Sequence, residues 1–228
     1  MDLMLGFGAG GERLELTYVA KAAENQGNTS TALVAGAQAG DLLITENYCK
    51  ANGNPGAPAE TVPLLDGAFT NIYSDDASPG GTADVRVTFA YRVLTAADVA
   101  AGTVTNLMSS DVETFFQWLF RPNVPVEGIE VLFAANTGTS SNPAGYSGIA
   151  VASETRCVVI IGCYHSDGAV SPRTFTPAAD QEVNDTVTSP TTRYSKMKLY
   201  NTAPQDTTID MDDEGGENVL SALAVAVF

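Results

Sequence analysis

The sequence holds a single histidine, His165, a single tryptophan, Trp118, and only 11 lysines and arginines against 27 aspartates and glutamates in 228 residues. One histidine rules out multi-histidine zinc sites and leaves at most one imidazole base for a serine or cysteine nucleophile. A formal charge of −16 repels a phosphate backbone instead of releasing its counterions, so nucleic acid is excluded as a partner. No apolar run reaches the ~20 residues that a membrane-spanning helix needs. The stretch Met1 to Gly11 has no basic region and is too rich in glycine to read as a secretory signal. Cysteine is scarce as well: Cys49, Cys157 and Cys163 are an odd number in a chain too large to need staples, and free buried thiols are expected. A bridge from Cys49 to Cys157 or Cys163 is left open.

What the chain does contain is glycine, threonine, alanine, asparagine and serine, with 17% charged residues and 44% hydrophobic ones. That is the balance of short strands joined by many turns. The clearest strand is Ala83 to Val93, where Val85, Val87, Phe89, Tyr91 and Val93 alternate with Asp84, Arg86, Thr88, Ala90 and Arg92. Glu12 to Ala20 and Tyr194 to Tyr200 alternate in the same way, with Leu14, Leu16, Tyr18, Met197 and Leu199 inward. Asp41 to Thr45, Thr155 to Tyr164 and Val219 to Phe228 are apolar on both faces and read as strands sandwiched between layers. Ile129 to Ala134 and the aromatic run Thr114 to Phe120 complete the set, the latter ended by Arg121-Pro122. One helical start stands out: Thr95 can cap, Asp98 can answer it, and Gly102 closes the element.

The expectation is therefore an all-β protein, an antiparallel β-sandwich of jelly-roll or immunoglobulin-like type with short helical turns. Residues 1–11 form an N-terminal segment and residues 12–228 a single sandwich domain, with no internal repeat visible in the sequence. The turn-rich segments between strands include Asp75 to Thr82, Asn136 to Ser147, Thr176 to Pro190 and Asp210 to Asn218.

Catalytic signatures are missing: no Gly-x-Ser-x-Gly, His-Glu-x-x-His or phosphate-binding glycine loop occurs, and the Gly6 to Gly11 run is not followed by a helical pattern. His165 follows Cys163 by two residues and shares its strand face, and it reads as a strand-end histidine, not a catalytic partner. Asp75-Asp76 is the most visible carboxylate pair and reads as a turn. Asp210, Asp212 and Glu214 alternate before Gly215 as in a calcium loop, but Ser221 stands where the bidentate glutamate belongs, so they make only a weak calcium candidate. No catalytic residue, resident metal or cofactor is expected.

The order Leu5-Gly6-Phe7-Gly8, then Ala39-Gly40-Asp41-Leu42-Leu43-Ile44, then Arg86-Val87-Thr88-Phe89-Ala90-Tyr91-Arg92-Val93 and a closing alternating Ala/Val strand resembles β-sandwich virion structural proteins of tailed bacteriophages. The likeness spans most of the chain as a pattern. It implies a jelly-roll or immunoglobulin-like sandwich in a tail, baseplate, fibre-associated or capsid-surface position, without catalysis and without transferable functional residues. Partners are then other virion proteins and further copies of the chain. Leu3, Met4, Leu5 and Phe7, ahead of the glycine joint, are the candidate assembly anchor. The alternatives are a capsid decoration protein and a carbohydrate-binding module for host-surface glycan, with Tyr48, Tyr73 and Tyr146 as stacking platforms in loops.

Overall fold

The structure, a computed structural model, describes residues 13–25, 30–50, 64–65, 68–77, 85–107, 112–139, 145–151, 156–166, 173–176, 178–185, 192–201, 207–213 and 218–228. The expected all-β class is what is found. In the first half of the chain the strands are β1 (Leu16–Asn25), β2 (Ser30–Ala32), β3 (Leu42–Lys50), β4 (Leu64–Leu65), β5 (Thr70–Ala77), β6 (Val85–Val93), β7 (Thr103–Leu107) and β8 (Val112–Pro122). The second half adds β9 (Ile129–Thr139), β10 (Gly145–Val151), β11 (Cys157–Ser166), β12 (Arg173–Thr176), β13 (Gln181–Asp185), β14 (Thr192–Tyr200), β15 (Thr207–Asp213) and β16 (Asn218–Val227). A helix, α1 (Ala96–Ala101), joins β6 to β7. Among the described residues no helix is long and apolar enough to cross a membrane.

Among the described residues all pairings are antiparallel, and they build two large sheets and two small ones. The first large sheet has the order β1-β8-β3-β6-β5 and is accompanied by a small sheet β2-β7-β4; the second has the order β9-β16-β11-β14-β13 and is accompanied by β10-β15-β12. Each half thus pairs its first strand with its eighth, its second with its seventh and its third with its sixth. A long hairpin rolled up so that the eighth strand also meets the third gives this order, which is jelly-roll topology. The second eight strands repeat the arrangement of the first, although the sequence shows no repeat. Topology of this kind needs only alternation and turns at matching places, not matching side chains.

The two large sheets stack face to face. Leu42, Ile44, Val87, Phe89, Phe116, Trp118 and Phe120 of the first meet Val159, Ile161, Cys163, Met197, Leu223, Val225 and Val227 of the second in one buried cluster. Expected inward residues Val87 and Phe89 are fully buried, while Tyr91 and Val93 pack half-buried at its margin. The opposite faces are covered too. Leu43, Phe115 and Leu119 lie beneath Val34 and Val104 of the N-terminal half, and Val158, Ile160, Ala222 and Ala224 lie beneath Phe175. Being buried on both faces explains why β3, β8, β11 and β16 read as continuous apolar runs.

Several segments expected as loops are partly strand. Asp75 and Asp76 belong to β5, opposite Val87 and Arg86 of β6. β13 lies inside the expected loop Thr176 to Pro190, and β15 takes in Asp210 and Asp212. In these segments a partner strand's ladder holds extended a backbone whose residues favour turns. The helical start is as expected: Thr95 and Asp98 form a reciprocal capping box, and Gly102 ends α1 in the left-handed conformation at φ 66°.

Candidate functional site

Polar side chains within this packed interior are the natural place to look for chemistry, because burial is costly unless each is partnered. On β3 the residues at inward parity run Leu42, Ile44, Glu46, so the apolar stripe is broken by a carboxyl group. Glu46 is fully buried. Its Oε1 accepts a hydrogen bond from the Trp118 indole on β8 and another, at 2.7 Å, from the Ser195 hydroxyl on β14. Trp118 belongs to the same sheet and Ser195 to the opposite one, so a carboxyl group ties the two large sheets together. Glu46 lies beside Phe89 and Phe116 in its own sheet; Ser195 lies beside Cys163.

A second buried carboxylate sits at the start of β3. Asp41 is 2% exposed and takes a two-pronged pairing from Arg121, with Nε to Oδ1 and Nη2 to Oδ2 both at 2.9 Å; the Gln38 amide donates to Oδ2 at 2.8 Å. The Asp41 side chain holds Arg121 above its ordinary range, chiefly through the hydrogen bond. The same guanidinium donates to Gly36 O at 3.0 Å, where the chain turns with Gly36 at φ 84°. A surface groove of about 330 Å³ lies here, lined by Gln38, Asp41, Val93, Arg121, Pro125 and Val126.

The third constellation lies between the first large sheet and α1. Arg92 pairs with Asp98 through Nε at 3.0 Å and through Nη2, and its guanidinium stands 5.8 Å from the centre of the Phe69 ring. Burial by itself would raise the Asp98 carboxyl, but the Thr95 backbone N–H, the Thr95 hydroxyl and the Arg92 guanidinium together hold it below the usual carboxylate range. A cavity of about 260 Å³ borders this pair, lined also by Leu33, Leu43, Leu94 and Val104. Its acid and base are already joined to each other and to the helix cap, which is the geometry of a clamp.

The residues singled out from sequence are scattered. Tyr73 lies in β5, half-buried and packed against the central cluster. Tyr48 lies in β3 and Tyr146 in β10, in strands of different sheets, and their side chains are outside the described residues. All three belong to strands, where loops were expected. Asp210 and Asp212 pair with Thr176 and Thr174 of β12 in the antiparallel ladder, and Glu214 is outside the described residues. Among the described residues no group of three or more metal-binding side chains occurs. Leu3, Met4, Leu5 and Phe7 also lie outside the described residues. Cys157 and Cys163 are buried free thiols, and burial pushes the Cys157 thiol up, with its Sγ 3.0 Å from Leu14 O. The Cys49 side chain is outside the described residues.

Glu46, Asp41 and Arg121 were not picked out from the sequence. The signal for Glu46 was present in the parity of β3, an acid at the third inward position of an apolar strand. The chain matches no family model, no curated protein and no solved structure.

Proposed function

We propose that this chain is a non-enzymatic structural component of a tailed-phage virion, in a tail, baseplate or fibre-associated position, held there by contacts with other virion proteins and with further copies of itself. The virion setting rests on the sequence resemblance. The structural role is supported chiefly by one observation: the buried carboxyl group of Glu46 is tied by donors from both large sheets, and that of Asp41 by Arg121 of β8 and the Gln38 backbone N–H, so their chemistry is consumed in holding the fold together. The edges of the large sheets support the same reading. Lys21 of β1 reaches across to Gln181 at 3.3 Å and to the Glu182 carbonyl on β13, so the edge of one sheet is fastened to the edge of the other. Protecting an edge in this way suits a protein packed at high local concentration.

The test is mass spectrometry of purified tailed-phage particles together with gold-labelled antibody against the chain. The chain should co-purify with particles at fixed stoichiometry and label one place on them. Its absence from washed particles, or glycosidase or other turnover by the purified chain, would overturn the reading.

A further inference from the structure

The two halves are related as the subunits of a symmetric dimer are. β1 packs against β13 at one side of the sandwich and β5 against β9 at the other. Since β9 and β13 occupy in the second half the places of β1 and β5 in the first, these are one contact made twice, in reverse order. That reciprocity defines an isologous interface with a twofold axis. Position-by-position equivalence follows from a shared irregularity: each opening strand bulges after its third residue, after Tyr18 opposite Phe120 in β1 and after Val131 opposite Val225 in β9. Phe120 therefore corresponds to Val225. Leu42, paired with Phe120, corresponds to Val159, paired with Val225. Carried along the ladders, Glu46 corresponds to Cys163, and Phe89, beside Glu46, to Ser195, beside Cys163.

The symmetry is broken at these positions. Glu46 of the first half finds the Ser195 hydroxyl of the second. The related place holds Cys163 and Phe89, both buried. If two N-terminal halves paired, Phe89 would stand where Ser195 stands, and a second Glu46 where Cys163 stands. Two carboxyl groups would then share one dry location with the cross-sheet hydroxyl gone. If two C-terminal halves paired, Ser195 would face a thiol instead of a carboxyl acceptor.

We propose that Glu46 is a pairing-specificity residue: by bonding Ser195 in the C-terminal half of its own chain it favours the pairing of unlike halves, and it penalises pairing between the N-terminal halves of two copies.

The experiment uses the full chain. Ordinary and isotope-labelled chains are mixed in guanidinium, refolded together and cross-linked, and mass spectrometry compares links joining the N-terminal halves of two chains with links joining an N-terminal to a C-terminal half. The natural chain should give almost exclusively the second kind. Glu46→Leu should raise the first kind about tenfold or more, because a second buried carboxyl group in the place of Cys163, with the Ser195 hydroxyl gone, weighs at least that much on a pairing equilibrium. Glu46→Gln keeps the size and an acceptor for Ser195, and two glutamines can bond to each other, so it too should raise that fraction. If Glu46→Leu does not fold, Glu46→Gln decides. An unchanged ratio in whichever variant refolds overturns the proposal.

Discussion

A single side chain can matter here in two separable ways, by the volume it fills and by the hydrogen bond it carries. Phe89 shows the first, and Phe89→Ala should lower stability by about 3–5 kcal/mol, since it lies wholly within the cluster between the large sheets. Trp118→Phe keeps most of the ring but withdraws the indole N–H from buried Glu46, and should cost about 1–3 kcal/mol. Denaturant titration at neutral pH checks both; a Trp118→Phe chain as stable as the natural one would mean that the carboxyl group needs no indole donor. The thiols give a third outcome at this scale. Cys157 and Cys163 are buried, and burial holds the Cys157 thiol above its ordinary range, so neither should react with a thiol reagent in the folded chain and both should after unfolding. Rapid labelling of Cys157 in native buffer would contradict its placement.

At the scale of an element, α1 is the instructive case because so little holds it. It has six residues, none of them buried, too short to persist alone. Its capping box and the pairing of Asp98 with Arg92 fasten it to β6. Asp98 has a folded value below its ordinary 3.8, so its contribution is complete above that value and is lost as pH falls through the lowered one. Acid should therefore release α1 before the sheets yield. Protection factors of the α1 amides, taken against the intrinsic exchange rate at each pH, should fall as pH drops below about 4, and the natural chain should lose over that fall an advantage that Asp98→Asn never has. Equal acid sensitivity in the two chains would show that the clamp carries no stability.

Across the whole molecule the largest cluster takes residues from both halves, so neither can unfold without stripping the other's inner face. Calorimetry should show one transition whose calorimetric and van't Hoff enthalpies agree. Two resolved transitions would mean that each jelly roll is stable alone and that the interface is secondary. The fully buried inner residues Leu42, Ile44, Trp118, Val159 and Leu223 make the single transition the expected result.

Period-two alternation and aromatic, β-branched runs determined by themselves that this chain is built from strands, and where the inner face of β6 lies. Thr95, Asp98 and Gly102 determined α1, because capping is local chemistry among neighbours in sequence. The acidic balance, a sum over residues, was equally legible. Tertiary structure alone decided the doubling of the jelly roll, since strand order depends on pairing between distant segments such as β1 with β8 and β9 with β16. It also decided that Asp75, Asp76, Asp210 and Asp212 lie in strands, where a partner's ladder overrides turn preference. Above all it decided the meaning of Glu46. Its inward parity could be read from β3, but its acceptor role depends on Ser195, 149 positions away, arriving on the facing sheet, and only packing brings two such side chains within 2.7 Å.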